Sequence, residues 1–129
     1  AGVAAFVDLT EAGELLPYEG LLPPEVVYQR FPIRDVSIPV SSGETLAILD
    51  AIDAHIHAGR IVYVHCWGGV GRTGVIVGCW LAQHGYPGQA ALDRLHECWR
   101  QCPKSRERKS PETSEQENYI VNWEESREC

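Results

Sequence analysis

The chain has 129 residues, 44% of them hydrophobic and 22% charged, which suits one soluble globular domain with a real core. A formal charge of −7 speaks against nucleic acid and anionic membrane surfaces as partners. No apolar run approaches the length of a membrane span, and no basic start followed by an apolar stretch marks a signal peptide.

Val3 to Leu9 is β-branched and aromatic and predicts a buried strand. The sequence contains no Met and opens directly in this strand, so the chain is expected to lack an N-terminal segment of a longer protein. Thr10 to Pro24 carries Gly13, Pro17, Gly20, Pro23 and Pro24 and predicts a loop with at most one helical turn. Val26 to Ile33 predicts a second strand, with Pro32 marking an edge or an exit. Asp35 to Ser42 is a loop. Ser41 and Glu44 have capping-box spacing, and Leu46, Leu49, Ile52 and Ile56 then recur at helical spacing as far as Gly59.

Ile61 to His65 is a short, wholly apolar run of the kind found in the middle of a parallel sheet. A glycine-rich turn, Cys66 to Gly71, leads into an apolar helix from Arg72 to about His84, closed by Gly85. Gly88 to Arg100 predicts another helix with Ala91, Leu92, Leu95 and Trp99 on one face. Pro103 to Lys109 is polar. Ser110-Pro111-Glu112 reads as the capped start of a last helix running to Trp123. Strands alternating with helices predict one α/β domain over residues 1–129, a small and mainly parallel sheet flanked by helices.

The chemistry concentrates in His65-Cys66-Trp67-Gly68-Gly69-Val70-Gly71-Arg72-Thr73-Gly74. Ligands of open α/β sheets bind at the carboxyl ends of strands, where this turn must lie. Glycines let successive backbone N–H groups converge as an anion nest, and the helix starting at Arg72 aims its positive end at the same point. Such a place suits a phosphate and equally a thiolate, so Cys66 is a candidate nucleophile. Residues 67–71 supply the phosphate-binding amides. Arg72 offers a planar fork for two phosphoryl oxygens. Thr73 can donate to the sulfur, and His65 can hold the loop backbone. A second Cys and Arg six apart, Cys102 and Arg108, has no glycines and no preceding strand and reads as a solvated loop.

Asp35 reads either as a turn-forming residue bonded to its own backbone or as a proton donor to a leaving oxygen. Gln116 reads as a solvated helix residue unless something else recommends it. His55 and His57, two apart on a helix, face different ways and do not share a metal. Cys98, Cys102 and His96 lack a second pair at zinc-finger spacing. The five cysteines show no disulfide framework. Cys79 reads as a small core residue, and reduced thiols imply a cytoplasmic setting.

The segment HCWGGVGRTG resembles the phosphate-binding loop of the cysteine-dependent protein tyrosine and dual-specificity phosphatases, and the length matches a compact, atypical dual-specificity type also found in bacteria. The resemblance spans Val26 to Trp123, with only the loop highly specific. It implies the protein-tyrosine-phosphatase-like fold and hydrolysis through a phosphocysteine on Cys66, without cofactor or metal. By the same likeness, Phe31 to Pro39 is similar to the family's general-acid loop with Asp35 as acid. Thr113 to Tyr119 is similar to the segment carrying a water-positioning Gln, here Gln116. The implied substrate is phosphotyrosine, and also phosphoserine or phosphothreonine, in a protein, or a small phosphomonoester; a monomer is expected. The rivals are an inositol phosphate or phosphoinositide substrate, a phosphate-binding pseudophosphatase, and a rhodanese-like sulfur transferase. The absence of Lys from residues 67–70 leans away from lipid phosphates, and the His before the Cys leans away from sulfur transfer.

Overall fold

The computed structural model describes residues 3–11, 20, 22–34, 38–39, 41–66, 71–86, 88–101, 110–111 and 113–123. Three parallel strands, β1 (Val3–Asp8), β2 (Val27–Arg30) and β3 (Ile61–His65), form a sheet in the order β2-β1-β3. Helices α1 (Ser42–His57), α2 (Arg72–Gln83), α3 (Gln89–Trp99) and α4 (Ser114–Val121) complete the α/β domain. This is the fold class expected.

Strand β1 lies at the centre because its residues are sealed on both flanks: Asp8 pairs in register with Arg30 on one side and His65 on the other. β2 pairs beyond its regular span. Phe31 N donates to Asp8 O at 2.9 Å and Ile33 N to Leu9 O at 3.0 Å. A parallel ladder uses alternate amides, so Pro32, with no N–H, falls where none is needed.

β3 departs from expectation. Its apolar run predicted a strand inside the sheet, yet among the described strands it is an edge, with Ile61 59% and Tyr63 51% exposed. An apolar run reports preference for a sheet and carries no information on which strand lies alongside. Tyr63 instead meets Phe6 edge-on, ring centroids 5.8 Å apart.

The helices follow their sequence signals closely. Ser41 caps α1, accepting from Glu44 N at 3.2 Å, and Gly59 and Gly85 turn the chain at positive φ (79° and 104°) after α1 and α2. The buried stripe of α1 is Ile48, Leu49 and Ile52; Ile56, placed on that stripe by its spacing, is exposed. His55 is buried and His57 exposed, on different faces as expected. Ala91, Leu92 and Leu95 of α3 are buried, and Trp99 is half-buried.

α4 begins later than predicted. Thr113, rather than Ser110, is its cap: Thr113 Oγ1 accepts from Gln116 N and Gln116 Oε1 accepts from Thr113 N, both at 3.1 Å. Ser110 and Pro111 are buried, and a Cβ on Gly74 would collide with Ser110 Oγ. Four residues on, a Cβ on Gly78 would stand 2.5 Å from Ile120 Cδ1. These two glycines form the flat face on which the Ser110–Pro111 segment and α4 pack. α2 is therefore the central helix, packed against α1, α3 and α4. Trp80 Nε1 to Asp53 Oδ1 (2.9 Å) ties it to α1, and Thr45 Oγ1 to Tyr119 Oη (2.7 Å) ties α1 to α4. Val7, Leu9, Val75, Ile76, Cys79, Ile120 and Trp123 fill the core, each large aliphatic side chain contributing about 1.5–3 kcal/mol on burial.

Candidate active site

The carboxyl ends of all three strands point one way, and the chain leaves β3 there on its way to α2. Cys66 sits at that end, 7% exposed. Its Sγ accepts a hydrogen bond from Thr73 Oγ1 at 3.1 Å, which joins two of the residues singled out in the sequence. Gly71 is the N-cap of α2 and contributes no side chain, and the first turn of α2 holds no acidic residue. No carboxylate in the first turn of α2 therefore offsets the positive end of the helix, where Thr73 meets Cys66.

Arg72, the first residue of α2, is 1% exposed. An arginine is almost never so buried unless its N–H groups are used. Its Nη1 donates to Ile33 O at 3.1 Å, on the segment leaving β2. The guanidinium thus bridges the start of α2 and the segment leaving β2. His65 is nearly buried, its ring stacked on Tyr63 with centroids 5.4 Å apart.

The carbonyl and amide of one β1-end residue tie these pieces together. Leu9 N donates to His65 O at 2.9 Å, while Leu9 O accepts from Ile33 N. Asp8, beside it, is fully buried. Its Oδ1 accepts from Thr10 N (2.9 Å) and Thr10 Oγ1 (2.5 Å), its Oδ2 from Tyr28 Oη (2.5 Å) and Arg30 Nη2 (3.4 Å). Burial pushes the Asp8 carboxyl up, but the hydrogen bonds from Thr10 and Tyr28 and the nearby His65 outweigh it, and the net shift is downward. Asp8, Thr10 and Tyr28 were not among the expected site residues. Asp8 at a strand end reads from sequence as a turn cap, and its bonds to Thr10 are of that kind; the reach of Tyr28 is a matter of register alone.

Gln116 is fully buried and its Oε1 serves the capping box of α4, a structural task that the sequence reading did not assign it. Asp35, Trp67, Gly68, Gly69, Val70 and the second Cys–Arg pair, Cys102 and Arg108, lie outside the described residues. Among the described residues no group of three or more His, Cys, Asp or Glu is arranged to hold a metal, and no helix is long and apolar enough to cross a membrane.

Comparison with known proteins bears on the family and the fold. Residues 1–86 match the family described as Tc-R-P, polymorphic toxin system, DSP-PTPase phosphatase. A protein without assigned function from Methanocaldococcus jannaschii, MJECL20, is 34% identical over 92 residues, covering 71% of this chain and 56% of that protein. A viral tyrosine phosphatase homologue, 067L of Invertebrate iridescent virus 3, is 38% identical over 87 residues, covering 64% of this chain and 35% of that protein. The chain thus spans about half or less of the curated relatives it matches. Among solved structures, Tk-PTP in its active form superimposes with a TM-score of 0.79 at 30% identity, covering 96% of this chain and 80% of that one. Human DUSP28, 18% identical with a TM-score of 0.73, shares the fold.

Proposed function

The chain belongs to the DSP-PTPase phosphatase family, and from that footing we propose that it hydrolyses phosphomonoesters through a phosphocysteine intermediate on Cys66. The observation that carries this reading is the hydroxyl of Thr73 on Cys66 Sγ, with the buried Arg72 beside it at the start of the same helix.

In the first step the Cys66 sulfur attacks phosphorus in line with the leaving oxygen. The S–P bond forms, the P–O bond breaks, and Asp35 gives its proton to the departing alcohol or phenol. Arg72 and the amides of residues 67–71 carry the charge on the equatorial oxygens. In the second step water attacks phosphorus, Asp35 takes back a proton, and the S–P bond breaks to release inorganic phosphate. Thr73 stabilises the departing sulfur, as its 3.1 Å contact prepares it to do. His65 supports the loop. Gln116 is assigned by resemblance to placing the water, a role that competes with its capping of α4.

The substrate class is a phosphoprotein, phosphotyrosine first and phosphoserine or phosphothreonine second. Supporting this are the tyrosine phosphatase among the relatives and a loop, residues 67–70, free of lysine. The protein acts as a monomer, without metal or cofactor, in a reducing compartment such as the cytoplasm. Cys66, Cys79 and Cys98 are free thiols, as such a nucleophile requires.

The test is turnover of a phosphotyrosine peptide beside phosphoserine and inositol phosphate substrates, each with vanadate and with a chelator. Vanadate-sensitive, chelator-insensitive release of phosphate from the phosphotyrosine peptide is expected. Asp35→Ala should slow that release by roughly 10²–10⁴-fold. Loss of activity on chelation would show a metal enzyme instead, and no turnover of any phosphomonoester would show a binding module.

A further inference from the structure

The carboxyl end of β1 is held far more firmly than the end of a strand requires. A carboxylate with no exposed surface is costly unless its oxygens are occupied, and an apolar residue of similar size would close the same space without that cost. Asp8 occupies the position nonetheless, with two donors from the turn after β1 and two from β2. These fix the backbone around Leu9 from both sides, and the Leu9 side chain is itself locked in the core.

What hangs on Leu9 explains the expense. Its N–H holds the carbonyl of His65, the peptide that leads directly into Cys66. Its carbonyl holds the N–H of Ile33, whose own carbonyl takes Arg72 Nη1 and which precedes Asp35 by two residues. One residue, through the two peptide groups that flank it, therefore sets the spacing between the nucleophile's strand and Ile33, which holds the arginine.

We infer that Asp8 is a positioning residue of the phosphatase site: through Thr10, Tyr28 and Arg30 it fixes the backbone of Leu9 and so keeps His65, which precedes Cys66, and Ile33, which holds Arg72 and precedes Asp35 by two residues, in mutual register. This rests on the reading of Cys66 as nucleophile and Asp35 as acid. Asp8 touches neither substrate nor reacting atoms. The lowered carboxyl keeps all four hydrogen bonds in place at neutral pH.

A loosened register harms proton delivery to the leaving group before it harms phosphate capture, because the anion site is built by the loop and α2 while the acid comes from a separate segment. A misplacement of about 1 Å can cost on the order of 10²-fold in rate. Asp8→Asn sets an amide NH₂ against donors on one side of the old carboxylate; Tyr28→Phe removes a single strap and keeps the ring.

The experiment measures kcat/KM on phenyl phosphate, whose leaving group needs a proton, and on 2,4-dinitrophenyl phosphate, whose leaving group does not. It is run on wild type, Asp8→Asn, Tyr28→Phe and Cys66→Ser, with vanadate inhibition and the folded fraction by circular dichroism alongside. Asp8→Asn should lose roughly ten- to a hundred-fold on phenyl phosphate and several-fold less on the dinitrophenyl ester, with vanadate affinity kept within about twofold. Tyr28→Phe should move the same ratio in the same direction by a smaller factor, and it decides the matter if Asp8→Asn does not fold. Equal losses on both substrates, no change on either, or vanadate affinity falling in step would overturn the positioning role. Wild-type turnover by Cys66→Ser would instead overturn the phosphatase reading itself, whatever Asp8 does.

Discussion

Two cysteines lie thirteen residues apart about one helix, and they have different surroundings. Cys66 stands just before α2 and Cys79 within it, and both are buried. Beside Cys66 is the hydroxyl of Thr73, in the first turn of a helix that has no acidic residue there. Cys79 is enclosed in the apolar core, where burial pushes its thiol far above the ordinary cysteine range. Low exposure is common to the two, so it cannot be what makes a reactive sulfur. A helix start with no acidic residue in its first turn, and a hydroxyl donating to the sulfur, are what separate them.

Substitution of the two sulfurs is the strongest way to break this comparison. Cys66→Ser should lower kcat on an aryl phosphate by on the order of 10⁴-fold or more, while Cys79→Ala should stay within about twofold of wild type. Comparable losses in both variants would show that the core, rather than one sulfur, supports activity. Next in size is Arg72→Lys, which keeps the charge but loses the planar fork. A drop of roughly 10²–10³-fold in kcat/KM is expected, with the protein still folded by circular dichroism. A near-normal rate in this variant would mean that charge alone suffices at the helix start.

Thr73→Val removes the hydroxyl from Sγ and sharpens the comparison by making the surroundings of Cys66 resemble those of Cys79. A hydrogen bond to a charged partner is worth about 1.5–3 kcal/mol, so breakdown of the phosphocysteine should slow by roughly 10- to 100-fold. Rapid-quench kinetics should then show a burst of alcohol followed by slow phosphate release; an unchanged second phase would remove Thr73 from the mechanism. The smallest effect belongs to Cys79. Its replacement by Ala leaves a space of about one atom and should cost roughly 1 kcal/mol in urea unfolding. Because its raised thiol stays protonated through mildly alkaline pH, iodoacetamide at pH 9 should spare Cys79 in the native protein and label it after denaturation, as read by peptide mass spectrometry.

Much of this contrast could be read along the chain. Strand, glycines, arginine and helix start coincide at residues 61–74, and the helix signals at Ser41, Gly59 and Gly85 all appear where they were expected. The cap of α4 was misread because Ser110-Pro111-Glu112 and Thr113-to-Gln116 both carry start signals. In the structure Thr113 is the cap, and Ser110 lies buried close to Gly74 instead. The edge position of β3 was not legible either, since Val, Ile and Tyr favour any pleated surface and do not name a neighbour. Gln116 shows the same limit: its spacing fits two roles, and the cap it makes depends on where α4 begins.

Local order and local chemistry were therefore determined by the sequence: which segments are strand or helix, and that Cys66, Arg72 and Thr73 belong to one turn. Their joining to Asp8, Leu9, Tyr28 and Ile33 was decided only by the tertiary structure. Those contacts run between strands twenty to nearly sixty positions apart, and they exist because parallel register brings three carboxyl ends side by side. Periodicity within a segment fixes what faces the core; register between segments is set by packing, which no single segment contains.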